Sequence, residues 1–480
     1  MTAILTLLAG TFYGLIIGLI PSAGATTGLV AMFGFISYFG FDPYLGVIFC
    51  MAVVAASTTG DTYAGILLGI PGANSAAATM VDGYPLAQQG RATEALTAAI
   101  TTSTLNGLFW GTLTFALLPQ YAKLIMYFGI PELWAFILLS LACVGFVSNK
   151  FWFRSIIAIC VGIGIGLIGT DPETNMDRFT MGWDYLGDGV QLMPLVAGLF
   201  AFPEIIAGWR RGNSIATLSG EETHTHQTWE GIKAVWKYKW DALRGGAIGA
   251  FVGFLPGLGG AMGDWMSYGA TVASHPEEEF GNGNMRGVVG PEGSNNAQKA
   301  TSMIPTVLFG IPGASFAAVL LGLFAYLGFE LGTQEIAADI KFFDSLTFGF
   351  MWATVITGIL CVAFNKQIAK ITYVPYIYYF PLLVGFIIWA CVQYTGGWQD
   401  YAILGITTCL GLFMKKYKFS RPALLMAFIL AMKIEALTLQ MWFIYSVDTL
   451  VTRPLFLGIM SVVIMLLVFS IVKRSKLDYA

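Results

Sequence analysis

Two aspartates stand beside glycines inside long apolar stretches: Asp61 follows Thr59 and Gly60, and Asp264 follows Gly263. A carboxylate near the middle of a bilayer is costly and is kept where it binds an ion or relays a proton. Both are therefore candidates for a coupling cation or a proton, with a watery hairpin edge as the plainer alternative. The run at 290–300, GPEGSNNAQKA, adds Glu292, Asn295, Asn296 and Lys299. Adjacent amides beside a carboxylate suit coordination of a cation or of an anionic acid. The candidate ion ligands are Thr59, Gly60, Asp61, Asp264 and Glu292.

Backbone is the second source of chemistry. PSAG at 21–24 and PGLG at 256–259 surround a proline with small residues. Proline inside a helix removes a hydrogen bond and clashes with the preceding turn, so a broken helix is expected at Ser22, Ala23 and Gly24 and at Gly257 and Gly259. Irregular backbone at membrane depth is tolerated only where protein or a watery cavity covers it. GIPGA occurs at 69–73 and again at 310–314, in stretches too rich in small residues for lipid-facing helices. Each reads as a re-entrant hairpin, the first with Pro71 and Gly72 at its tip. Past the tips, Gly72, Ala73, Asn74 and Ser75, and Gly313, Ala314 and Ser315, would open helices whose N-terminal amides face the membrane centre. The natural ligand there is a carboxylate.

The elements that must carry these groups follow from composition. Of 480 residues, 56% are hydrophobic and only 11% charged, against about a quarter charged in soluble domains. A spanning helix needs about 20 apolar residues, which leaves no room for a large soluble domain and gives an all-α polytopic membrane protein of roughly 10–14 membrane segments. Apolar spans fall near 97–118, 131–149, 155–169, 192–208, 345–364, 377–394, 400–414, 422–440 and 454–472. Net charge is −3, with no nucleic-acid footprint. The six cysteines lie singly, without metal or redox spacing, and no cofactor is expected beyond a coupling ion, Na+ or H+. The N-terminal apolar run lacks a basic start and a cleavage signal and reads as a retained first helix.

Lys and Arg gather in alternate loops, among them Lys150 with Arg154, the stretch 209–244, Lys366 with Lys370, 415–421 and the C-terminal Lys473, Arg474 and Lys476. By the positive-inside rule these face the cytoplasm, the C-terminus included. Residues 209–244 read as a cytoplasmic linker between a first membrane half, 1–208, and a second, 245–480. The linker's His224 and His226 have the spacing of a metal pair but sit in what reads as an exposed tether.

The halves repeat. An offset of 235 superimposes Gly10, Gly14, Gly18, Pro21, Gly24, Gly28 and Gly34 on Gly245, Gly249, Gly253, Pro256, Gly259, Gly263 and Gly269. An offset of 241 aligns ILLGIPGANSAAA, from Ile66, with VLFGIPGASFAAV, from Val307, at eight identical positions of thirteen. Counting crossings from the linker puts 82–94 inside and 332–344 outside, so the repeats are inverted, each with a broken helix and a re-entrant hairpin. Such repeats place a binding site at the midplane.

These motifs resemble the large membrane subunit of tripartite tricarboxylate transporters, the TctA type. The resemblance rests on GLIIGLIPSAG at the start, LLGIPGANSAAATMVDGYPLAQQGRA from Leu67, and GFLPGLGG, PEGSNNA and LFGIPGA in the second half. It covers nearly the whole chain. It implies a secondary transporter of the bacterial inner membrane that imports a di- or tricarboxylate or related acid on an ion gradient, with a periplasmic solute-binding protein and a small four-helix membrane subunit as partners. The chain departs from the family where many relatives have a Tyr-Gly-Gly-Ser type run; here stand Thr59, Gly60, Asp61, Thr62 and Tyr63. Analogy with other two-hairpin carboxylate transporters adds an elevator-like alternating access. Two other classes are an anion channel and an intramembrane aspartyl protease using Asp61 and Asp264, whose nearest signature, AMGD at 261–264, lacks the first glycine. No phosphate-binding P-loop is present.

Overall fold

The computed structural model describes residues 1–20, 24–40, 42–69, 76–124, 128–147, 152–171, 176–211, 225–372, 376–392 and 397–477. The first half comprises α1 (Thr2–Leu19), α2 (Gly24–Phe39), α3 (Pro43–Leu68), α4 (Ala77–Gln88), α5 (Ala92–Leu124), α6 (Ile130–Val147) and α7 (Trp152–Gly166). A small ribbon pairs β1 (Gly169–Thr170) with β2 (Asp177–Arg178), and α8 (Leu192–Val196) passes through a π turn at Ala197–Ala201 into α9 (Phe202–Arg211). After α10 (Thr225–Lys237) come α11 (Lys239–Phe254), α12 (Gly259–Ser274), α13 (Arg286–Thr301), α14 (Met303–Phe309), α15 (Ser315–Tyr326), α16 (Gln334–Ala338) and α17 (Ile340–Ala363). The chain closes with α18 (Asn365–Thr372), α19 (Tyr376–Val392), α20 (Gln399–Lys416), α21 (Arg421–Ile444), α22 (Val447–Val451) and α23 (Pro454–Leu477). Among the described residues each of the nine expected apolar spans coincides with helix over most of its length, the span 155–169 running past α7 into β1. Among the described residues α1, α3, α17 and α21 are long and apolar enough to cross a membrane, and several shorter apolar helices accompany them.

Glycine spacing explains how the repeats pack. Gly10, Gly14 and Gly18 share one face of α1, and a Cβ on Gly14 would stand 2.7 Å from the Val53 carbonyl oxygen of α3. Gly245, Gly249 and Gly253 press in the same way on α13, where a Cβ on Gly249 would stand 2.5 Å from Ser294 Cα. Small residues let backbones approach at this range. The partners Phe49, Val53, Ser57 and Gly60 are matched by Gly290, Ser294, Gln298 and Thr301, each 241 positions later. The offset read from GIPGA thus holds along the crossing helix as well.

In these contacts the numbers rise together, so α1 runs parallel to α3 and α11 to α13. The next helices run back: Tyr13 donates to Gly28 O at 2.9 Å, and Ser267 to Gly245 O at 3.3 Å. Each half therefore opens with an antiparallel pair of helices; in the second the turn lies at PGLG, level with Thr301, while the neighbouring helix runs on. The parts are distributed differently from the sequence expectation. Pro256 marks a hairpin turn, and the second GIPGA follows the end of a through-running helix; Pro21 lies outside the described residues. α3 and α14 end at Gly69 and Gly310, with φ of 61° and 62°, a left-handed cap that glycine adopts without strain. Beyond Gly310 the chain is extended and doubles back, with Gly313 N donating to Thr306 Oγ1 at 3.2 Å. From there α15 starts beside Ser302 and runs the same way as α14, until Gly332 N reaches Val307 O at 3.0 Å. In the first half α4 likewise lies along α3, with Gly65 against Ala76 and Met80, and Gly69 against Tyr84, while Pro71 and Gly72 lie outside the described residues. The re-entrant arm is extended going in and helical coming out, because Pro312 lacks an N–H and the flanking glycines disfavour a helix.

The crossing helices α3 and α13 are antiparallel. Tyr44, at the start of α3, donates to Asp339 at 3.1 Å, whereas Arg286, at the start of α13, pairs at 2.5 Å with Asp241 beside the linker. The halves are inverted. The linker itself is partly a packed helix: Gln227 donates to Gly90 O at 2.9 Å, and a Cβ on Gly231 would stand 2.6 Å from Glu94 O. Gly231, Ala234 and Val235 form its buried side, a helical spacing that the surrounding charges obscure in the sequence. α11 begins at Lys239, inside the expected linker; His224 lies outside the described residues.

A second group of helices packs around α6, α7, α8, α9 and α19–α23. Gly166 of α7 accommodates Ala431 of α21, Arg453 pairs with Glu132 at 2.8 Å, and Thr407 donates to Pro194 O at 3.1 Å. Its contact with the repeats includes Gly34 of α2, where a Cβ would stand 2.8 Å from Ala390 Cα.

Candidate functional site

The antiparallel crossing of α3 and α13 places polar residues of both halves face to face. Lys299 Nζ donates to Thr58 Oγ1, and Thr62 Oγ1 donates to Glu292 Oε1 at 3.1 Å. Residues 58 and 299 are 241 apart, so Lys299 touches its own counterpart in the other repeat. That contact lies on the pseudo-two-fold axis. Asp61 Oδ2 stands 4.0 Å from the same ammonium, and neither Asp61 oxygen accepts a hydrogen bond. Asp61 and Glu292 are 0% exposed and Lys299 5%.

Asp264 enters from α12. Ser294 donates to its Oδ1 at 2.5 Å, while Oδ2 has no partner within the protein. Gly249 and Gly263, both small by necessity, allow this approach; a Cβ on Gly263 would stand 2.9 Å from Ser294 Oγ. Asn295 donates to Glu292 Oε2 at 3.4 Å, but its own Oδ1 is free. Both side-chain polar atoms of Asn296 and of Gln298, and the Thr59 hydroxyl, are buried without partners in the protein. Each such group costs about 1–3 kcal/mol if left unpaired, and buried polar atoms are normally satisfied. So many in one cluster, around three carboxylates and one ammonium, are suited to receiving cations and a polar solute. Asn106 and Trp110 of α5 continue the cluster, with unpartnered Oδ1 and Nε1 atoms beside Gly246.

The two backbone motifs of the second half meet each other. Gly257, with φ of +87°, donates its N–H to Gly313 O at 3.3 Å, which joins the α11–α12 turn to the segment leading into α15. Ala314 is extended, Ser315 opens α15, and no side chain caps that helix. The free amides at its N-terminus favour negative charge. Gly259 opens α12 and Gly24 opens α2. Ser22, Ala23, Gly72, Ala73, Asn74 and Ser75 lie outside the described residues. Gly60 is packed against Gly18, where a Cβ would stand 2.8 Å from Gly18 Cα, so its place is in helix packing.

Thr58, Thr62, Ser294 and Gln298 join the site without having been singled out in the sequence. Their signal was present in the polar positions spaced three to four apart on one helix face. The DGYP element has a separate place: Asp82 Oδ1 accepts from Gly281 N at 2.7 Å, Gly283 N at 3.1 Å and Asn284 N at 2.9 Å, and Oδ2 accepts from Tyr268 at 2.9 Å. It fastens α4 of one half to the α12–α13 loop of the other.

Inverted repeats with a buried charged cluster between them, in a chain with helices long and apolar enough to cross a membrane, define an all-α polytopic membrane protein. The profile of the family described as "Tripartite tricarboxylate transporter TctA family" matches residues 4–426. The chain belongs to that family. It is 28% identical, over 98% of its own length and 93% of the relative's, to an Agrobacterium vitis protein described as an uncharacterized 52.8 kDa protein in the TAR-I ttuC′ 3′ region. A second protein of that organism, from the TAR-II ttuC′ 3′ region, is 27% identical over 48% of this chain and 97% of its own. No solved structure matches.

Proposed function

We propose that this chain imports an organic carboxylate, a di- or tricarboxylate or a related acid, across the bacterial inner membrane in symport with a cation, Na+ or H+. A periplasmic solute-binding protein delivers the acid, and a small four-helix membrane subunit completes the complex. The observation that carries this reading is the joining of the PGLG turn to the GIPGA segment through Gly257 and Gly313, with Gly313 against Ser302, three residues along the chain from Lys299 of the buried cluster that also holds Asp61, Asp264 and Glu292. The open N-terminus of α15 suits the anion, and Thr59, Asp61, Asp264 and Glu292 suit the cations. Asn295 and Asn296 add unpartnered amide groups for either ligand. The second helix group acts as a scaffold against which the repeats shift in an elevator-like movement, the C-terminus facing the cytoplasm.

The chain works as a carrier and not as a protease, a reading supported by the separate partners of the two aspartates, Lys299 for Asp61 and Ser294 for Asp264. The test begins with the cognate binding protein, screened against carboxylates by thermal shift. The acid that stabilises it is then offered to cells carrying the whole system. Saturable uptake that needs both the binding protein and a cation gradient is expected. Unsaturated conductance independent of the binding protein would overturn the proposal in favour of a channel.

A further inference from the structure

We propose that Lys299 is a tethered counter-cation that competes with the coupling cation for Asp61. This rests on reading the central cluster as the coupling site. The ammonium stands 4.0 Å from Asp61 Oδ2 yet donates to Thr58 instead, and both Asp61 oxygens are left open. The Thr58 hydroxyl spends its own proton on Val54 O at 2.7 Å, which turns a lone pair toward the lysine. Lys299 therefore has two alternative acceptors within reach of one flexible stem carrying three donors.

Charge decides why it should alternate. Asp61 from α3, Asp264 from α12 and Glu292 from α13 face a single ammonium, and no other charged side chain pairs with them among the described residues. A buried charge is tolerated only when paired or neutralised, so the cluster fully ionised has room for two further positive charges. With a cation on Asp61, Lys299 rests on Thr58. With Asp61 unloaded, the ammonium closes the gap and forms the ion pair itself. The centre is then never left with an uncompensated aspartate, and each passage of a cation is answered by a short lysine movement on the symmetry axis. The duplication accounts for the geometry: equivalent positions of two inverted helices must meet at the axis, and here one carries a hydroxyl and the other an ammonium.

The experiment titrates the purified full-length chain in lipid nanodiscs, following the melting temperature against Na+ at constant ionic strength and against pH. Lys299→Gln removes the competitor. It is expected to lower the Na+ midpoint by about tenfold, within the usual range of coupling between ligands, or, if the proton is the ligand of Asp61, to raise the pH midpoint by about one unit. Thr58→Val removes the lysine's alternative acceptor and is expected to move the same midpoint the other way. Asp61→Asn should erase both shifts. Opposite signs from two neighbouring substitutions would not arise from a general loss of packing. Unmoved midpoints, same-sign shifts or a wild-type chain indifferent to both Na+ and pH would overturn the proposal. Because these titrations need no substrate, a failure of carboxylate uptake would count against the transport reading alone.

Discussion

Glu292 is held by hydroxyl and amide donors from both sides of the crossing: Thr62 reaches Oε1 from the first half, and Asn295 reaches Oε2 from one turn along α13. Neither donor carries a charge, so the carboxylate is fixed in place while its own charge stays available to a cation. Glu292→Gln sets an amide where Thr62 or Asn295 now donates, and one of them must face another donor. The expected result is a loss of about 1–3 kcal/mol of stability, read as a lower melting temperature, together with a changed cation dependence of uptake. An unaltered cation profile in the folded variant would make Glu292 structural. Asp61 and Asp264 were legible in the sequence because a carboxylate in an apolar run stands out whatever the fold, and Glu292 through the adjacent amides that follow it. Lys299 was visible as a residue, but its partner was not: Thr58 becomes its neighbour only through the two-fold relation of the halves, which residue type alone does not announce.

Among the elements, the glycine stripes are the part the sequence disclosed most directly, since four-residue spacing places Gly10, Gly14 and Gly18 on one helical face. What spacing cannot disclose is the direction of the partner helix. This is why PGLG reads as a mere break when it is a hairpin turn, and why the second GIPGA reads as a turn between helical arms when its inward arm is extended. Two predictions belong here. Gly14→Ala and Gly249→Ala force a Cβ to within 2.7 Å of Val53 O and 2.5 Å of Ser294 Cα, and overpacking of this kind costs about 1–3 kcal/mol. Gly269→Ala in the same repeat meets nothing within 4 Å and is expected to leave the melting temperature level or higher. Equal effects at all three would refute the packing account. Gly313→Ala, whose Cβ would stand 2.7 Å from Ser302 Cβ, should push the segment off Gly257 and reduce uptake by an order of magnitude or more, the scale at which small displacements of a positioning segment act, while the protein still inserts. Normal uptake would remove Gly313 from the site.

For the molecule as a whole, the two halves are fastened on the linker side by Asp82, and the repeats meet the second helix group along α2 and α15. Asp82 accepts three backbone amides from the 281–284 loop, and hydrogen bonds to a charged group are worth about 1.5–3 kcal/mol each. Asp82→Ala should therefore open residues 275–285 to limited proteolysis before the rest of the chain, and equal resistance would deny the clasp. The elevator reading makes a further demand on the other contact. If the repeats slide past the second group, α2 must move against α19, where the Phe35 and Trp389 rings lie 4.7 Å apart edge to face and Gly34 abuts Ala390. A Phe35→Cys, Trp389→Cys pair, with the exposed Cys160 and Cys409 first replaced, can be joined by a short bifunctional reagent and released by reduction. Uptake should stop on joining and return on release, because a contact this close cannot be held through a sliding movement. Uptake that continues at the unlinked rate would place the moving boundary elsewhere, within the repeats themselves, where the α3–α13 crossing at Thr58 and Lys299 is the remaining seam between the inverted halves.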